Sequence, residues 1–232
     1  VVFTNRSMTA YVANWAIEEN SSGPGSRVIC LAPLNTSAGF VQLIHYTTQG
    51  CTVFMEPQFV AADALRLIQE RRITCFGAVP AFFEFIAALP EFADADLISL
   101  KLVTAGGARV SRQLLEAYKA KGITIRQIYG QTECPNFITS LSKEDHLDPA
   151  LLASCGRAVP FVEVRTAPSA EAPVGEVEVR SPYLLLEYFQ DAEATAAAVD
   201  DGWLRTGDLG YLDNGYLFLV GGKRISWTFD GS

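Results

Sequence analysis

The chain has 232 residues, 49% hydrophobic and 19% charged, so it can bury a sizeable core and is not a disordered composition. Its formal net charge of −8 argues against a nucleic-acid partner, which needs clustered Lys and Arg. Five scattered cysteines without a CxxC pair and only two histidines argue against a zinc site. Free thiols in a reducing cytoplasm are the expectation, with no basic-then-apolar leader over residues 1–20 and no transmembrane segment.

From residue 27 onward, short β-branched runs alternate with amphipathic stretches. Residues 27–31 read as a strand, 38–49 as a helix closed by Gly50, and 51–55 as a second strand. A helix follows over 61–71, where Leu65 and Ile68 share a face, and then a strand over 73–79. Pro80 opens a helix carrying Phe83, Ile86 and Ala87, and residues 100–104 form the fourth strand. Ser111 caps a helix bearing Leu114, Leu115 and Tyr118 that stops at Gly122, before a fifth strand over 123–128. Strands linked by such helices run parallel, with right-handed crossovers. The predicted fold is therefore α/β, a mostly parallel sheet flanked by helices, with ligands held outside the carboxyl ends of the strands.

Beyond Ser154 the pattern turns to half-exposed strands over 162–166 and 176–180, separated by a Pro- and Ala-rich turn at 167–173. Asn214-Gly215 inside residues 211–217 signals a type I′ hairpin. The expected organisation is an α/β subdomain over 1–154, a β-rich subdomain over 155–221, and a hinge remnant or disordered tail over 222–232.

Two segments carry chemistry. In residues 128–133, Tyr129 can stack on a purine, Gly130 frees the backbone to turn, Thr132 can donate to a phosphate oxygen, and Glu133 offers a hard oxygen to Mg²⁺. In residues 203–209, Asp208 follows a Thr-Gly turn and can accept both hydroxyls of a ribose. His45 lies within a predicted helix and His146 in a polar loop, so neither suits a catalytic base. Phe40, Phe82, Phe83 and Phe85 read as core packing, and no G-x-G-x-x-G follows a strand, which sets aside a dinucleotide-dependent dehydrogenase.

The order of Thr104-Ala105-Gly106-Gly107-Ala108, residues 128–133, Gly156-Arg157-Ala158-Val159-Pro160, Gly175-Glu176-Val177, Tyr188-Phe189 and residues 203–209 resembles the adenylate-forming (AMP-binding) enzymes, acyl-CoA synthetase branch. The resemblance implies a ligase that joins a carboxylic acid to the α-phosphate of ATP, releases pyrophosphate, and passes the acyl group to a thiol such as coenzyme A. It implies that Gly106, Gly107 and Ala108 line the cleft, that Tyr129 and Gly130 adjoin the adenine, and that Asp208 binds the ribose. By the same resemblance Thr132 touches the α-phosphate and Glu133 holds Mg²⁺, the two being the catalytic pair.

Departures from the family pattern accompany it. Val1-Val2-Phe3-Thr4-Asn5-Arg6-Ser7 resembles the segment after the family's phosphate loop, and Thr36 stands where relatives carry a histidine. Gly221-Gly222 replaces the hinge Gly-Arg, so the ribose arginine is missing unless Lys223 or Arg224 substitutes, and the lysine of the mobile C-terminal domain has no counterpart. The expectation is a fragment of the large domain, inactive alone, whose exposed apolar surface favours homo-oligomers. The alternative is a free-standing, non-catalytic nucleotide-binding or relic protein. No carboxylate stands in residues 31–40 to pair with a substrate ammonium, which points to a fatty or aryl acid.

Overall fold

Helix α1 (Asn5–Ile17) starts at Thr4, where two side chains satisfy two orphan amides reciprocally: Ser7 N–H donates to Thr4 Oγ1 and Thr4 N–H to Ser7 Oγ, each at 3.0 Å. The computed structural model describes residues 1–18, 22–168 and 173–222. These fall into two compact units, Trp15–Gln127 and a second made of Val1–Asn14 with Ile128–Ser232.

The first unit holds the expected alternation: β1 (Arg27–Cys30), α2 (Ser37–Thr48), β2 (Thr52–Met55), α3 (Ala61–Glu70), β3 (Cys75–Ala78), α4 (Pro80–Ala87), β4 (Leu102–Ala105), α5 (Arg112–Lys119) and the start of β5 (Ile125–Gln131). The strands lie in the order β2-β1-β3-β4-β5 and every pair is parallel. Cys30 faces Met55, Ala78 faces Ala105, and Ala105 faces Gln127, so the segments 32–36, 79–82 and 106–108 leave the same edge of the sheet.

The predicted starts have their physical cause in view. Thr36 caps α2 by accepting from Gly39 N–H, and Ser111 caps α5 by accepting from Leu114 N–H. Ile29, Phe76 and Ile125 of the strands and Ile68, Phe83, Ile86 and Tyr118 of the helices are almost completely buried, and the Phe83 ring packs between those of Phe76 and Tyr118. Not every predicted core phenylalanine is there: Phe40 and Phe85 are exposed, and Phe82 stacks on Phe59 with ring centroids 3.8 Å apart. On α4 the positions of Phe83 and Ile86 face the sheet, which turns Phe82 and Phe85 to its flank. Arg126 on β5 is buried against Glu18, just beyond the C-terminus of α1, at 2.8 Å.

The second unit is antiparallel. It comprises the end of β5, then β6 (Cys134–Ser140), β7 (Arg157–Ala158), β8 (Glu163–Pro168), β9 (Gly175–Arg180), α6 (Ala192–Ala198), β10 (Val199–Asp200), β11 (Trp203–Asp213) and β12 (Tyr216–Gly222). The order is β5-β6-β7-β12-β11-β9-β8, with β10 paired to β11. Phe137, Ile138, Leu141, Val177, Tyr183, Leu204 and Leu217 form its fully buried core. Asn214 at φ 49° and Gly215 at φ 82° make the predicted type I′ turn. The Pro- and Ala-rich turn falls in part, and Lys223 and Arg224 fall wholly, outside the described residues. Among the described residues no helix is long and apolar enough to cross a membrane.

Candidate nucleotide site

Strand β5 passes into β6 through Thr132 and Glu133, a two-residue turn closed by the pair Gln131↔Cys134. Neither residue has a positive φ, and an unprimed turn of this length splays its strands. A register shift, in which Gln131 faces both Cys134 and Pro135, and Asn136 at φ 54° absorb the misfit. Gly130 lies inside β5 rather than in the turn. A Cβ there would sit 2.2 Å from the carbonyl carbon of Asn136 and 2.4 Å from the nitrogen of Phe137, so the glycine admits the bulged strand β6. Thr132 and Glu133, both half-buried, are presented at the hairpin tip.

Asp208 is positioned by a second irregularity. Between the pairs Arg205↔Glu178 and Leu209↔Glu176, Thr206, Gly207 and Asp208 of β11 stand against Val177 of β9 alone, a bulge that Gly207 accommodates at φ 76°. Thr206 Oγ1 donates to the Val177 carbonyl at 2.7 Å and accepts from Asp208 N–H at 3.1 Å, while Gly207 N–H donates to Glu176 Oε1 at 2.9 Å. The Asp208 carboxylate is thereby held inside the unit at 1% exposure.

Its Oδ2 accepts from the hydroxyl of Tyr129 at 2.8 Å. Burial, and next the charge of Asp208, push the tyrosine pKa well above its ordinary value, so Tyr129 remains the donor. Among the described residues, none donates to Asp208 Oδ1. It faces Gly222, paired with Asp208 across β11 and β12, where a Cβ would lie 2.4 Å from Oδ1. A buried carboxylate oxygen without a donor is costly, and an incoming hydroxyl would satisfy it. The residues at this point therefore fit a ribose.

Glu133 is held from a different direction. Its Oε1 accepts from the hydroxyl of Tyr188 at 2.8 Å, and its carbonyl accepts from Leu185 N–H at 2.7 Å. Oε2 carries no hydrogen bond from a described residue. Among the described residues no group of three or more His, Cys, Asp or Glu gathers as a metal cage. A single carboxylate beside a threonine hydroxyl is nonetheless an arrangement Mg²⁺ accepts, because the ion retains waters and takes its other ligands from substrate phosphates. Tyr188 appeared in the sequence as part of a motif without a role; its partner lies 55 positions away, a pairing that no local pattern signals.

In the parallel unit, Gly107 leaves β4 at φ 83°, and Gly107 and Ala108 are exposed. Thr36, at the family's histidine position, is occupied as the α2 cap and by donation to the Pro33 carbonyl at 2.6 Å. His45 is buried with Nε2 2.8 Å from Ser22 Oγ, and burial lowers its pKa to about 4, so it is a neutral packing residue.

Residues 1–189 match the family model described as "AMP-binding enzyme". The chain belongs to the AMP-binding enzyme family. Among this family's members, the long-chain-fatty-acid–CoA ligase FadD13 of Mycobacterium tuberculosis is 36% identical over 224 residues, covering 94% of this chain and 44% of that protein. The indoleacetate–CoA ligase of Aromatoleum aromaticum is 33% identical, over 90% of this chain and 42% of its own length. The solved N-terminal domain of FACL13 from Mycobacterium tuberculosis superimposes with a TM-score of 0.86 at 33% identity, covering 95% of this chain and 59% of that one. The o-succinylbenzoate–CoA synthetase MenE of Bacillus subtilis, solved in complex with AMP, gives a TM-score of 0.83 at 27% identity, over 95% of this chain and 46% of that one. The chain thus spans less than half the length of the curated AMP-binding relatives named here.

Proposed function

We propose that this chain supplies the nucleotide-holding part of an AMP-forming acid–thiol ligase, which activates a fatty or aryl carboxylic acid with ATP and passes it to coenzyme A. The observation that carries the reading is Asp208, buried, fixed through one oxygen to Tyr129 and with no donor to the other among the described residues. The relatives' activities, as fatty-acid–CoA and indoleacetate–CoA ligases, support the substrate class.

Each side chain has a role in this reading. Asp208 Oδ1 accepts a ribose hydroxyl, and Tyr129 keeps the carboxylate oriented while its ring borders the base. Thr132 donates to an α-phosphate oxygen, and Glu133 offers Oε2 to Mg²⁺. When bound, the ion would offset the negative charge that grows on the phosphate oxygens as the acid attacks. In the parallel unit, Gly106, Gly107 and Ala108, with no side chain beyond a methyl, are the segment that would border bound substrate. The free cysteines fit a reducing cytoplasm.

ATP–pyrophosphate exchange by the full-length gene product, with fatty and aryl acids offered singly, tests the assignment. Exchange that requires both an acid and Mg²⁺, followed by thioester formation when coenzyme A is added, is the expected result. No exchange with any acid of either class would overturn it.

A further inference from the structure

We propose that Tyr188 is the positioning residue of the Glu133 carboxylate, a role that rests on the reading of Glu133 as the cation ligand. Glu133 sits at the tip of a two-residue turn and has three side-chain torsions to order before it can hold an ion. The Tyr188 hydroxyl takes Oε1 at 2.8 Å and leaves Oε2 as the oxygen to be presented. A carboxylate aimed in advance by a hydrogen-bond donor loses less freedom when the cation arrives.

Tyr188 is itself fixed on the strap that follows β9. Its N–H donates to Thr195 Oγ1 at 2.9 Å, and Thr195 Oγ1 donates to the Asp191 carbonyl at 2.7 Å, tying the strap to the first turn of α6. Three residues earlier Leu185 N–H holds the Glu133 carbonyl, and between them Leu186 N–H donates to Val2 O while Val2 N–H donates to Glu187 O, both at 2.8 Å. Tyr183, fully buried, anchors the start of the strap by donating to the Phe137 carbonyl at 2.8 Å and accepting from Asn14 Nδ2 at 2.6 Å. The strap therefore grips the hairpin turn by both its backbone and its acidic side chain.

The test is the ratio of ATP affinities with Mg²⁺ and with the divalent ion removed by chelation, measured by equilibrium dialysis on wild type, Glu133→Gln, Tyr188→Phe and the double variant. A purely structural tyrosine would shift both affinities alike and leave the ratio untouched. The expected pattern is that Glu133→Gln abolishes the Mg²⁺ enhancement and that Tyr188→Phe lowers it roughly tenfold while metal-free ATP binding is unchanged. The double variant should match Glu133→Gln alone. Thr195→Val, which frees Tyr188 from its far side, should move the ratio the same way and guards against a poorly folded phenylalanine variant. A ratio lost in Glu133→Gln but intact in Tyr188→Phe and Thr195→Val overturns the role of Tyr188 alone. A ratio that Glu133→Gln leaves unchanged, or no enhancement in wild type, removes Glu133 as the ligand and Tyr188 with it.

Discussion

Replacing Gly156 with alanine is expected to destabilise the antiparallel unit by about 3–5 kcal/mol, combining left-handed strain with overpacking against backbone. Gly156 has φ 85°, and a Cβ there would meet the Ser140 carbonyl oxygen at 2.0 Å and the Leu141 nitrogen at 2.3 Å. Those atoms belong to the end of β6 and cannot rotate away as a side chain would. The glycine is also pinned, since its carbonyl accepts from Leu217 N–H at 2.9 Å and the preceding Cys155 carbonyl accepts from Thr139 Oγ1 at 2.6 Å. Gly202 is the control: it has a similar φ of 77° but nothing within 4 Å of an added Cβ. Gly202→Ala should therefore cost only about 1–2 kcal/mol. Urea unfolding followed by circular dichroism separates the two, and equal losses would refute the contact with β6.

Arg126→Met should lower the stability of the parallel unit by about 3–5 kcal/mol, the usual cost of leaving one partner of a buried pair uncompensated. The side chains of Arg126 and Glu18 are 5% and 13% exposed and 2.8 Å apart, so solvent screens them little. Glu18 also stands at the end of α1 where the helix dipole disfavours a negative charge, which makes the arginine its main compensation. The double variant Arg126→Met, Glu18→Met should recover most of the loss, because apolar side chains of similar volume replace buried ion pairs with little penalty. A single variant within about 0.5 kcal/mol of wild type by urea unfolding would show that the pair is not a buried one.

The parallel unit was legible because each of its elements carried a local signal. The β-branched runs marked β1, β3 and β5, Pro80 and Ser111 marked helix starts, and Leu65 and Ile68 marked a buried face. Asn214-Gly215 did the same for the hairpin of β11 and β12. Strand β6 escaped because Pro135 and Asn136 interrupt its run, and both prove to be parts of the bulge rather than of a loop. Helix α1 escaped because its apolar residues are mixed with Asn, Ser and Thr, and α6 because seven residues of Ala, Glu and Thr carry no periodic face.

At the site, residue types were legible and their partners were not. Tyr129, Glu133 and Asp208 stood out by chemistry, yet the Tyr129–Asp208 bond spans 79 positions and the Tyr188–Glu133 bond 55. Gly130 looked like the turn itself; the structure places the turn at Thr132-Glu133 and gives the glycine to the close approach of β6. Contacts of that kind depend on register, which a bulge shifts without leaving any periodic trace.

The binding of ATP by wild type and Asp208→Asn, measured side by side by calorimetry in the presence of Mg²⁺, tests the central assignment most directly. The amide keeps the shape of the carboxylate and can still accept from Tyr129, but a charge-assisted bond to a ribose hydroxyl, worth about 1.5–3 kcal/mol, is lost. The dissociation constant should rise roughly tenfold or more, at 1.4 kcal/mol per factor of ten. An Asp208→Asn chain that binds ATP as tightly as wild type would remove Asp208 from the nucleotide site and contradict the account.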